Sequence, residues 1–138
     1  MDIKEVAAAL NGCEYNEEGS KELFAAAAAA GIVIVFGASD DLMEFRGAVT
    51  DEVGCYDGGK AYFTEGGLLE NKCEEEDCPY FGEAKDKAAV VEAVRGEDGY
   101  SWTYKTDIPH ETFEVFDDGD KYCRGIVFHL HQAYKRSA

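Results

Sequence analysis

GIVIVFGASDDLMEFRGAVTDEVGCYDGG, residues Gly31–Gly59, is the stretch that decides the fold. It opens with an unbroken apolar run, Ile32, Val33, Ile34, Val35 and Phe36, in which all but the last are β-branched. Such a run has no polar face to offer water. It reads as a strand buried on both sides, at the centre of a sheet. The polar turn Gly37-Ala38-Ser39-Asp40-Asp41 ends it. Met43–Val49 then alternates as a second strand, with Phe45, Gly47 and Val49 on one face and Glu44, Arg46 and Ala48 on the other. Turn chemistry follows at Asp51-Glu52 and at Cys55-Tyr56-Asp57-Gly58-Gly59.

Working back from this stretch, two helices precede it. Asp2 and Glu5 form a capping pattern for a short helix over Ile3–Leu10, and Asn11-Gly12 ends it. Asn16 caps a second helix at about Glu17–Ala30, whose acidic first turn suits the helix dipole. Leu23 and Phe24 are its large apolar contacts. Its alanine block, Ala25–Ala30, permits close approach to a sheet, and Gly31 stops it.

Working forward, Lys60–Thr64 reads as a third strand, joined through Glu65-Gly66-Gly67 to a short strand at Leu68-Leu69. Glu70–Pro79 is an acidic loop. The spacing of Ala84, Ala88, Val91 and Val94 predicts a third helix at about Glu83–Arg95, capped by Gly96. The last third reads as an antiparallel meander. Tyr100–Lys105 places Tyr100, Trp102 and Tyr104 on one face, and Pro109 breaks the run. Thr112–Phe116 and Tyr122–Leu130 form a hairpin around Asp117–Asp120. The expected fold class is α+β: a single domain over residues 1–138, with a mostly antiparallel sheet and about three helices packed on one face.

Composition narrows the function. A chain of 138 residues can bury a core without staples, and its 46% hydrophobic content is that of a globular protein. No apolar run is long enough to span a bilayer, and acidic residues precede the alanine block where a signal peptide would be basic. Five irregularly spaced cysteines do not make a secreted disulfide framework, so the expected location is the cytoplasm. The net charge of −16 repels phosphate backbones and argues against nonspecific nucleic-acid binding. An acidic surface can instead imitate a polyanion and fill a basic groove on a partner.

Three kinds of chemistry are within reach of these residue types. Cys73 and Cys78 flank an acidic run, and Cys55 and Cys123 would complete four sulfurs, but one C-x4-C pair without a second close pair does not make a zinc site. No metal or other cofactor is expected. Cys123 or Cys55 with His110 would form a nucleophile pair only if folding joined them, and neither cysteine opens a helix. Ser39 lacks the G-x-S-x-G of a nucleophile turn, so no catalytic residue is assigned and the chain is read as non-enzymatic. Nucleotide motifs such as the P-loop are absent. Cations and aromatics do lie beside glycine turns, however. Arg46, Lys60, Lys105 and Arg124 are the candidates to hold phosphate, and Tyr56, Trp102 and Tyr104 the candidates to stack a base. Pairing of each arginine with one of the many carboxylates is the competing reading.

Three stretches carry a resemblance: FGASDDLMEFRGAVTDEVGCYDGG (Phe36–Gly59), YSWTYKTDIPHETF (Tyr100–Phe113) and KYCRGIVFHL (Lys121–Leu130). Together they resemble a group of small acidic proteins encoded by phages and prophages of gut bacteria. The likeness covers most of the chain beyond Gly31 and transfers no residue roles. It implies a context, the countering of host defence inside the host cytoplasm. The expected function is therefore a sponge for a small nucleotide immune signal of the cyclic dinucleotide or cyclic ADP-ribose type. The alternative is an acidic mimic that blocks a basic groove of a host nuclease or CRISPR-type complex, using Asp40, Asp41 and the Glu74–Asp77 loop. The partners expected are a small nucleotide or a basic host protein, with a second copy of the chain as a further candidate, and neither nucleic acid nor a membrane.

Overall fold

The computed structural model describes residues 2–11, 21–37, 43–48, 52–53, 58–63, 69–72, 89–95, 102–117 and 121–131. Helix α1 is Ile3–Leu10. The Asp2 carboxylate accepts from the Glu5 backbone N–H at 2.9 Å, as the capping pattern requires. Helix α2 is Lys21–Ala29, and Gly31 follows it with φ of 73°, the left-handed conformation that closes a helix at little cost for glycine.

Among the described residues nine strands follow: β1 (Ile32–Gly37), β2 (Met43–Gly47), β3 (Glu52–Val53), β4 (Gly58–Phe63), β5 (Leu69–Lys72), β6 (Ala89–Arg95), β7 (Trp102–Lys105), β8 (Glu111–Asp117) and β9 (Lys121–His129). They form two sheets, ordered β3-β2-β1-β9-β8 and β5-β4-β6-β7, and every pair is antiparallel. The five-residue apolar run is the central strand of the larger sheet, and Ile32, Val33, Ile34, Val35 and Phe36 are all buried. Ile32, Ile34 and Phe36 pack with Val6, Leu10 and Ala27 of the helices. Val33 and Val35 pack on the other side with Phe63 and Val91 of the second sheet. Each such buried side chain contributes about 1.5–3 kcal/mol, so the strand serves two cores at once.

The layers are therefore helices, five-stranded sheet, four-stranded sheet. The helix layer sits close because both sides are trimmed. Gly47 has φ of 86°, and a Cβ there would meet the Ile32 carbonyl oxygen at 2.3 Å and the Ala27 Cβ at 3.5 Å. Between the sheets, Phe63 and Phe128 stack edge to face at 5.1 Å between centroids.

The structure corrects three expectations. Ala89–Arg95, assigned to a third helix, is strand β6, held between β4 and β7. Its valines fit both a helical and an alternating period, and pairing on both edges decides between them. The described residues contain two helices, and 83–88 lie outside them. The single sheet becomes two. The meander is broken as well, because β7 belongs to the smaller sheet and β8–β9 to the larger. The strap Thr106–His110 carries the chain across, with Ile108 plugged between the sheets. Of the expected second helix with its cap and the first hairpin, residues 16–20 and 64–68 lie outside the described residues.

Candidate functional site

Where the β7 edge of the smaller sheet meets the β8–β9 end of the larger one, the surface folds into a groove of about 590 Å³. Tyr104, His110, Thr112, Glu114 and Arg124 supply its polar wall. The geometry starts with strand alternation. His110, Thr112 and Glu114 recur every second residue and share one side of β8 and its approach. The β8–β9 register sets Arg124 directly opposite Glu114.

Arg124 Nε donates to Glu114 Oε1 at 2.9 Å, with the side chains 52% and 46% exposed. A pair this open to water is worth at most about 1 kcal/mol of stability. Its effect is to orient: one bond fixes the guanidinium plane, and among the described residues the terminal nitrogens are left without a partner. From the other wall, the Tyr104 hydroxyl donates to the Arg124 carbonyl at 2.7 Å, which ties β7 to β9. The Asn11 side-chain oxygen accepts from the Glu114 N–H at 3.0 Å, so the C-terminal cap of α1 pins the edge strand that carries Glu114.

The strap sets His110. The Ile108 N–H donates to Thr106 Oγ1 at 3.2 Å, closing a local turn, and Ile108 anchors it in the core. His110 Nδ1 then lies 2.8 Å from the Ile108 carbonyl oxygen. A carbonyl can only accept, so Nδ1 carries a proton and Nε2 is the ring nitrogen left for the groove. Chemically the groove offers a cation with an open edge, a carboxylate, an imidazole nitrogen, hydroxyls and an aromatic wall.

Of the residues expected to bind a ligand, the structure brings together Tyr104 and Arg124. Arg46 is elsewhere. It is 7% exposed, and its Nη1 donates to the Phe45 carbonyl at 2.9 Å. It lies in register with Ile34 and Val127, which pack toward the helices, whereas Arg124, three residues before Val127, faces the other way. The two arginines therefore share no pocket. Lys105 is exposed and opposite Glu92 in register, outside the groove. Lys60 stands in β4 between Lys72 and Glu92 in register, and Trp102 in β7 opposite Arg95. Tyr56 lies outside the described residues, as do Asp40, Asp41, Cys55, Cys73, Cys78 and the Glu74–Asp77 loop.

One glycine role is also reassigned. A glycine turn beside a cation would allow a ligand close backbone approach, and Gly125 stands beside Arg124. A Cβ there would instead meet the Phe113 ring and the Val35 carbonyl oxygen, both at 2.4 Å. Its bareness serves Phe113, which fills the space and packs edge to face on Phe36.

Sequence reasoning missed Thr112 and Glu114, and gave His110 a different task. The signal was present in the H-x-T-x-E alternation and in the symmetric hairpin that sets Glu114 against Arg124. Among the described residues no three His, Cys, Asp or Glu side chains cluster as metal ligands, and no helix is long and apolar enough to cross a membrane. No protein-family model, no curated protein and no solved structure matches the chain.

Proposed function

We propose that the chain is a non-enzymatic, phage-type counter-defence protein that sequesters a small nucleotide signal of the cyclic dinucleotide or cyclic ADP-ribose type. The observation that carries this reading is Arg124. Its guanidinium is held in one plane by Glu114, with the terminal edge open, in a groove walled by Tyr104 and His110. An oriented guanidinium grips phosphate bidentately, and aromatic and imidazole groups suit a base. Arg46 has no part in this site.

The test is a thermal-shift series with cyclic dinucleotides and cyclic ADP-ribose isomers. Saturating ligand raises the melting temperature of the wild type and not that of Arg124→Gln. The ligand is recovered unchanged after denaturation, whereas an enzyme would return a product. If no nucleotide shifts the wild type, the reading fails.

The net charge of −16 favours a second reading, an acidic mimic that occupies a basic groove on a host nucleic-acid-handling protein. It requires a salt-sensitive complex weakened by neutralising Glu74–Asp77. Pull-downs at low salt that retain no host protein would exclude it.

A further inference from the structure

The groove has two chemically different ends. At one end, Arg124 spends Nε on Glu114 and keeps its terminal edge for an anion, where a pair of phosphate oxygens fits. At the other end stands His110. With Nδ1–H committed to the Ile108 carbonyl, Nε2 is the ring nitrogen whose lone pair can accept. A lone pair accepts from an N–H and repels another lone pair.

The ends are also set apart. His110 precedes β8 by one residue, and Arg124 lies opposite Glu114, four residues further on. That separation is about 13 Å along an extended chain. That length is of the order of a whole nucleotide rather than of a phosphosugar. A whole nucleotide, with base, sugar and phosphate in line, spans them and brings its sugar past the exposed Thr112 hydroxyl midway.

Resting on the reading of this groove as a nucleotide site, we infer that the nucleotide lies along β8 in one direction. Its phosphate sits on the terminal edge of Arg124, and an exocyclic amine of its base donates to Nε2 of His110. The groove thereby selects bases that carry such an amine, and His110 determines that choice.

Calorimetry on the full chain with three probes tests this: AMP, adenosine, and purine riboside monophosphate, which lacks only the exocyclic amine of AMP. AMP binds more tightly than purine riboside monophosphate by about 3- to 10-fold, the worth of one hydrogen bond. It binds more tightly than adenosine by at least about 10-fold, the worth of a charge-assisted contact. His110→Phe abolishes the amine preference and leaves the phosphate preference. His110→Gln, which keeps an acceptor, retains part of the amine preference. Arg124→Gln abolishes the phosphate preference and leaves the amine preference. Circular dichroism confirms that each variant is folded. An amine preference that survives His110→Phe overturns the inference, as does equal binding of AMP and purine riboside monophosphate, both tighter than adenosine, although the nucleotide reading then stands. If none of the three binds at millimolar concentration the inference falls, and a thermal shift with a cyclic dinucleotide or cyclic ADP-ribose isomer then decides the nucleotide reading separately.

Discussion

The Tyr104 hydroxyl donates a 2.7 Å hydrogen bond to the backbone carbonyl of Arg124, so the outermost strand of one sheet is tied to the second strand of the other. The bond joins residues that sequence separates widely, and it forms one rim of the groove. Tyr104→Phe keeps the ring and removes this bond. The expected loss is about 1 kcal/mol of stability, read by equilibrium urea unfolding. An unchanged midpoint would mean that the sheets are not held together there.

Arg46 and Arg124 should fail in opposite ways. Arg46→Ala removes a buried stem and its bond to the Phe45 carbonyl, so stability falls by about 2 kcal/mol or more. Ligand affinity of the folded protein is unchanged, because Arg46 faces the helices. Arg124→Gln costs less than about 1 kcal/mol, since its pair is half exposed, yet removes phosphate binding. Urea titration and thermal shift with ligand, run on both variants, separate the two roles.

Gly125→Ala should be far more damaging than Gly31→Ala. The new methyl at position 125 meets a backbone oxygen that cannot step aside, so overpacking costs about 3 kcal/mol or more. At position 31 nothing lies within 4 Å, and the penalty is the left-handed backbone alone, about 1 kcal/mol. Comparable losses in urea would refute the packing argument for Gly125.

Asn11→Ala tests the pin between α1 and the edge strand β8. Losing the bond to the Glu114 N–H costs about 1 kcal/mol and uncovers a donor on an exposed strand edge. Light scattering of concentrated protein should show more self-association than wild type, alongside the lowered urea midpoint.

Phe63→Leu and Phe128→Leu probe the seam between the sheets. Each is destabilising, and the double-mutant cycle returns a coupling of about 0.5–1.5 kcal/mol for the edge-to-face pair. Strict additivity would show that the rings merely fill space.

Much of the fold was legible because it is written locally. The Asp2 cap, the Gly31 stop, the alternation in β2 and the pairing of β8 with β9 each depend on residues a few positions apart. The candidate site was legible only in pieces. Tyr104 and Arg124 stood out as an aromatic and a cation in strands, but nothing local says that β7 and β9 belong to different sheets and still touch. His110 figured there only as a partner for Cys123 or Cys55, and its contact with the Ile108 carbonyl emerges only in the folded strap.

By itself, the sequence determined that Ile32–Phe36 is buried on both sides, since four β-branched residues and a phenylalanine leave no face for water. It also determined that an α+β chain of charge −16 would be built around that strand. Only the tertiary structure decided what covers each side: helices over Ile32, Ile34 and Phe36, and a second sheet over Val33 and Val35. It alone made Ala89–Arg95 a strand, because a segment whose pattern fits two periods takes the one that satisfies its backbone on both edges. By the same alternation across the sheet it set Arg46 and Arg124 on opposite faces, since register, which no single strand contains, determines which side chains meet.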